Sequence, residues 1–244
     1  MKVIRVDDYE ALSKKAYEFF IHTMNTNEQP VFGLATGSTP KGLYELLVDE
    51  YKQKKQVFEH IQTFNLDEYV GLAKDHPGSY YYYMYERFFN PLNLDQKQVN
   101  VPNGLTPNFD EECERYEQKI AEAGGIDLQF LGIGVNGHIG FNEPGTSFSS
   151  RTHIVELTKS TMEVNSRFFE TKEEMPNKAI TMGIKSIMGS KEIVLLVNGE
   201  HKAEALKQTI EGNVTEDFPA SVLQKHPHVT VIADTDACKK LQAQ

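Results

Sequence analysis

The chain has 244 residues, 39% apolar and 25% charged, enough to bury a sizeable core in one large domain. No apolar run approaches the ~18 residues needed to span a membrane, and two cysteines, Cys113 and Cys238, make no disulfide framework, so a reducing, cytoplasmic location is expected. A net charge of −10 argues against nonspecific nucleic-acid binding; an anionic ligand would need a local cluster of cations and backbone amides.

In chain order, the alternating segment MKVIRVDDYE predicts an edge-type first strand, and Asp8–Thr23 a helix capped by Asp7 or Asp8. Val31–Thr36 predicts a strand. It leads into a helix over Pro40–Tyr51, with Thr39 as N-cap and Pro40 at the first helical position. Ile61–Leu66 predicts a second buried strand, ending at Asp67 and Glu68. The aromatic run Tyr80–Tyr85 reads as helix packing. Asp110–Ala123 is amphipathic and closes at Gly124-Gly125. Further strands are predicted over Ile126–Ile133, Ala179–Ile184, Glu192–Val197 and Val229–Ala233, with a helix over Glu200–Glu211. The apolar runs fit strands of a parallel sheet buried on both sides, and their alternation with helices predicts an α/β fold with helices on both faces. Ser147–Pro176 breaks the alternation: a helical hairpin or mobile lid and a plain surface excursion both fit it. No composition break divides residues 1–244, so a single domain is expected.

Three strand-end loops carry the chemistry. In Ala35–Pro40, Gly37 allows close backbone approach, Ser38 and Thr39 offer hydroxyls, and a helix N-terminus follows, which suits a phosphate. It lacks the Gly-Lys-Ser/Thr of a Walker A loop. In Phe64–Tyr69, Asp67 and Glu68 point to opposite sides of an extended chain, so one is expected to be functional and the other a solvated face. Leu131–Pro144, LGIGVNGHIGFNEP, sets Asn136, His138 and Glu143 among four glycines. Its G-x-G-x-x-G spacing matches a dinucleotide loop, but further glycines and Pro144 follow where a helix should open. Two cations stand near loops. Arg167 lies in the broken segment, and Lys202 lies in a first helical turn, where the dipole disfavours it unless an anion is near.

Seven motifs in order over nearly the whole chain resemble the glucosamine-6-phosphate deaminase family: TGSTP, FNLDEYVG with HPGSYYYYM, GVNGHIGFNEP, the SRT of Ser150–Thr152, NSRFF, GEHKAEAL and PASVLQKHP. The resemblance implies a modified doubly wound (Rossmann-like), mostly parallel sheet. It also implies no metal or other cofactor, and a sugar-phosphate substrate that is opened, isomerised and deaminated. By the same resemblance Asp67 is the enolisation base, His138 the ring-opening acid/base and Glu143 its supporting carboxylate. Asn136 falls where many relatives carry Asp, and Gly37, Ser38, Thr39, Arg167 and Lys202 hold the phosphate. An Asn there cannot supply charge, so Glu143 alone is expected to supply it to His138. An ordinary Asp, with a pKa of ~3.9, is a weak base, so burial is expected to raise that of Asp67. Arg151 matches part of an effector site, but His153 replaces a basic partner, which leans towards a nonallosteric enzyme for which a monomer is admissible. A 6-phosphogluconolactonase shares the general fold and a related Gly-His loop but does not need the FNLDEY carboxylate. A noncatalytic sugar-phosphate sensor and a NAD-dependent dehydrogenase are the remaining alternatives.

Overall fold

The computed structural model describes residues 1–53, 58–158, 161–162, 169 and 175–242. Seven strands form one sheet: β1 (Lys2–Val6), β2 (Val31–Leu34), β3 (Gln62–Asn65), β5 (Val99–Asn100), β6 (Leu128–Leu131), β9 (Glu192–Val197) and β10 (Val229–Asp234). Their order is β1-β10-β9-β6-β2-β3-β5, and every neighbouring pair is parallel. β1 is an edge strand, as its alternating pattern predicts. The central strands read as unbroken apolar runs because helices cover both faces.

On one face lie α1 (Tyr9–Thr26) and α2 (Lys41–Lys52). α1 starts where the Asp8 carboxylate accepts the Ala11 N–H. It buries Leu12, Ala16 and Phe20 at four-residue spacing. The Phe20 ring stacks on Phe32 of β2 at 3.8 Å, an anchor whose truncation to Ala would cost ~3–5 kcal/mol. On the other face lie α4 (Phe109–Glu122) and α5 (Ala203–Glu211), through Tyr116, Ala205 and Leu206. The Tyr80–Tyr85 run forms a short helix, α3 (Tyr80–Met84), that passes into a wider turn over Tyr85–Phe89.

From β2 the chain moves to β3 and β5 on one side, then returns to β6, β9 and β10 on the other. The loops after β2 and β6 therefore part in opposite directions, which opens a crevice at the carboxyl ends of these strands.

One expectation needs correcting. The Ala179–Ile184 run supplies β8 (Lys178–Thr181), which is outside the parallel sheet. With β4 (Asp67–Tyr69) and β7 (His153–Glu156) it builds a separate antiparallel sheet, β4-β8-β7. An apolar run reports burial on both sides, and β8 has that in either setting. Leu66 is the joint between the sheets: its N–H donates to Leu34 O at 3.1 Å and its O accepts from Met182 N–H at 2.7 Å. Within Ser147–Pro176, His153–Glu156 is thus a strand. Residues 159–160, 163–168 and 170–174 lie outside those described, and with them much of the second half of the expected lid.

Candidate active site

β3 and β4 are consecutive strands in different sheets, so Asp67 leaves the main sheet at its carboxyl edge. It is 6% exposed. Among the described residues no hydrogen bond to its carboxylate is found. Burial pushes the carboxyl up to about 8, with the neighbouring Glu68 adding to the shift.

Glu68 is not a solvated face. It points the other way along β4, as alternation requires, and is itself buried. Its Oε1 accepts the N–H of Tyr69 (2.8 Å) and Tyr80 (2.9 Å), and its Oε2 that of Tyr81 (2.8 Å). It therefore satisfies the first turn of α3, whose N–H groups have no helical partner.

The loop after β6 turns back on itself around His138. Gly134 is required there: a Cβ at that position would fall 2.2 Å from the imidazole. The protonation pattern follows from one carboxylate. Asn136 Nδ2 must be the atom facing Glu143 Oε2, at 2.6 Å, because a carboxylate only accepts. Asn136 Oδ1 then faces His138 Nδ1 at 2.7 Å, so Nδ1 carries the hydrogen. Nε2 is left with no partner among the described residues, able to accept a proton or, once charged, to return it. Glu143 Oε2 also lies 3.6 Å from Nδ1, within ion-pair range though beyond a hydrogen bond. Burial works against its charge. The imidazole, the Thr161 hydroxyl and the Asn136 amide outweigh burial and hold the carboxyl at about 2.

β8 fastens these two regions together. Thr181 pairs with Asp67 across the small sheet, and its Oγ1 accepts the Phe141 N–H at 3.1 Å. Asn142 Nδ2 donates to Ile139 O and Met182 O at 2.8 and 2.9 Å. As a result Asp67 Oδ2 lies 3.6 Å from where a Cβ of Gly140 would stand, two residues beyond His138.

The loop after β2 lies across the crevice. Gly37 holds a φ of 99°, which an L side chain rarely adopts. Thr39 does not cap α2: its hydroxyl donates to Asn198 Oδ1 at 2.9 Å, just past β9. Pro40 takes the cap position and no side chain fills it. Three phenols hold the loop's carbonyls. Tyr44 donates to Ala35 O (2.6 Å), Tyr83 to Gly37 O (2.6 Å) and Tyr9 to Ser38 O (2.8 Å). Tyr9 Oη also accepts the Gly42 N–H at 2.9 Å, so it is the other N–H groups at the N-terminus of α2 and the Ser38 hydroxyl that are available to an anion. The Thr39–Asn198 bond brings in the loop that carries Lys202. Lys202 has no ion pair among the described residues, and burial lowers its ammonium pKa. Arg167 lies outside the described residues.

The sequence reading missed Thr158 and Thr161, whose hydroxyls donate to Glu143, and the three tyrosines. The threonines sit in the segment that broke the α/β alternation. Packing alone accounted for the Tyr80–Tyr85 run, so Tyr83's hydrogen bond left no trace. Arg151 is already engaged: it pairs with Glu117 at 3.1 Å, and the same carboxylate accepts from Thr152 and Ser186.

Residues 7–232 match the glucosamine-6-phosphate isomerase/6-phosphogluconolactonase family. A glucosamine-6-phosphate deaminase of Thermoanaerobacter pseudethanolicus is 53% identical, with 97% of this chain and 94% of that protein covered. One from Clostridium botulinum (strain Loch Maree / Type A3) is also 53% identical, covering 99% of each. A solved monomeric glucosamine-6-phosphate deaminase superposes with a TM-score of 0.94 at 47% identity, over 97% of this chain and 98% of that one. At 20% identity, a Trypanosoma cruzi 6-phosphogluconolactonase shares the fold, with a TM-score of 0.79 over 99% of this chain and 97% of that one. With its modified doubly wound sheet, its carboxyl-edge crevice and these relatives, the chain belongs to the glucosamine-6-phosphate isomerase/6-phosphogluconolactonase family.

Proposed function

We propose that the protein converts glucosamine 6-phosphate and water into fructose 6-phosphate and ammonia, as a hydrolase of a C–N bond. One observation carries this reading: a buried carboxylate with no hydrogen-bond partner among the described residues, Asp67, stands against the loop that presents His138 Nε2. Lactone hydrolysis has no use for that carboxylate.

The chemistry follows from the site. His138 Nε2 moves a proton between the anomeric hydroxyl and the ring oxygen, which opens the sugar. The charge on the ring during transfer is met by Glu143, while Asn136 fixes the tautomer. Asp67 then takes the proton from C2 while the C1 aldehyde oxygen gains one given up by the C2 ammonium, forming an enolamine; return of the proton from Asp67 to C1 leaves an iminium at C2. Water adds at C2 and ammonia leaves. With its carboxyl near 8, Asp67 is a far stronger base than an ordinary Asp. The substrate's C2 ammonium supplies the opposite charge that Asp67 lacks. Gly37, Ser38, Thr39 and Lys202 hold the phosphate, and Arg167 joins them by family resemblance. We further infer one catalytic domain over residues 1–244, acting as a cytoplasmic monomer. Its Arg151 is paired internally by Glu117, which supports a hyperbolic enzyme that N-acetylglucosamine 6-phosphate does not activate.

A coupled assay tests the reading. Ammonia and fructose 6-phosphate should appear in equal amounts from glucosamine 6-phosphate, with no acceleration of 6-phosphogluconolactone hydrolysis. Lactone hydrolysis without ammonia release would replace this assignment with the lactonase one.

A further inference from the structure

Outside the crevice, a cavity of about 270 Å³ opens between α4, β5 and the segment before α3. Its walls carry three cations, Lys74, Arg115 and Lys119, and one carboxylate, Glu112. That carboxylate is spent. It is paired twice with Arg115, at 2.5 and 2.6 Å, and accepts the Asn103 N–H at 2.7 Å. The two ammonium groups are left without a carboxylate among the described residues. Lys119 Nζ reaches only the neutral Asn100 Oδ1 at 3.1 Å, and Lys74 Nζ sits 4.8 Å from the centre of the Tyr81 ring. Burial first, and then Arg115 and Lys74, lower the pKa of Lys119, against the opposing pull of Glu112 and Glu122. A surplus of mutually repelling cations in one hollow is costly, and it stands out in a chain of net charge −10.

We propose that this cavity is a second anion site, which takes the phosphate group of a small phosphate monoester between the ammonium groups of Lys74 and Lys119. The cavity of about 270 Å³ is just below the ~300–1,000 Å³ of drug-sized ligand sites, which suits a small monoester and not a large nucleotide. The walls are bolted to the strand that leads to Asp67. Tyr116 Oη donates to Asn65 O at 2.7 Å, Asn100 Nδ2 donates to Thr63 O at 3.1 Å, and the Tyr81 N–H holds Glu68. A bound anion would therefore sit on the scaffold of β3 and β4, apart from the crevice.

The test is an NMR titration of the ¹⁵N-labelled full chain with inorganic phosphate at low ionic strength. Chloride at matched ionic strength is the control. Amides of Asn100, Val101, Asn103 and residues 115–119 should shift saturably with phosphate and not with chloride. The same shifts should persist in Lys202→Gln, which weakens the crevice phosphate pocket, and should vanish in Lys74→Gln/Lys119→Gln. Both lysines are at the surface, so the double variant retains the fold, and its unaltered crevice shifts would verify that. Non-saturating shifts, equal shifts with chloride, or saturable shifts that survive in the double variant would each overturn the proposal. Failure of the crevice reading would appear separately, as crevice shifts that Lys202→Gln leaves unchanged.

Discussion

Asp67 and Glu143 belong to one crevice, yet their surroundings treat them in opposite ways. Glu143 is met by an amide, an imidazole and the hydroxyls of Thr158 and Thr161, and its carboxyl is held at about 2. Asp67 has burial and another carboxylate for neighbours, and is pushed up to about 8. Environments that drive two acids apart divide labour between them. The one held ionised is suited to stabilise charge on His138. The one deprived of donors is suited to exchange a proton near neutrality. The adjacent pair differs in degree: burial raises Glu68 as well, to about 7, but the N–H groups of Tyr80, Tyr81 and Tyr69 work against the rise, whereas among the described residues Asp67 receives no such donor.

Four variants break or sharpen this contrast. The largest effect is expected from Asp67→Asn, a loss of ~10²–10⁴-fold in turnover with C2-proton exchange abolished and sugar-phosphate binding retained. Normal exchange would remove Asp67 from its role. Its stability signature is equally specific. A carboxyl raised in the folded state contributes stability below the ordinary value of ~3.9, and that contribution is lost as pH rises through about 8. Asp67→Asn should therefore melt higher than wild type above about pH 8, by ~2–4 °C for each kcal/mol relieved, with the difference gone near pH 4.

Glu143→Gln should behave inversely. A depressed carboxyl stabilises the fold above the ordinary Glu value, and this is lost as pH falls towards about 2. The variant should melt lower than wild type at neutral pH. On cyclic substrate it should lose up to ~10²-fold in rate through misplaced and less stabilised His138. Near-intact activity would contradict the assignment. Lys202→Ala comes next: removing a charge-assisted bond worth ~1.5–3 kcal/mol should raise KM for the phosphorylated sugar by ten-fold or more, and barely affect unphosphorylated glucosamine. Equal losses for both sugars would refute the phosphate contact. The smallest effect belongs to Tyr83→Phe. Freeing the Gly37 carbonyl, a bond of ~1 kcal/mol, should raise KM about five-fold with kcat little changed. A fall in kcat alone would detach Tyr83 from the phosphate loop.

Local signals fixed the strand ends on which these residues stand. The runs before Gly37, Asp67 and Gly132 are strands β2, β3 and β6, and Asp8 caps α1, because apolar continuity and a capping carboxylate are properties of neighbours in sequence. Thr39 was misread for the complementary reason. Its capping partner would have been local, but the stronger partner, Asn198, is 159 positions away. For Glu68 the sequence shows only that it points away from Asp67, which fits a surface acid equally well. What lay on that side was the start of α3.

The amino-acid order by itself determined the α/β alternation, the carboxyl-edge loops and the residue types able to move protons and hold a phosphate. These rest on period, turn chemistry and short-range capping. Only the tertiary structure decided that β8 leaves the parallel sheet to clip β4 to the His138 loop. It also decided that Glu143 reaches His138 chiefly through Asn136, and that Asp67 has no donor among the described residues. Each of those depends on which distant groups arrive and which do not, and burial turns that difference into charge.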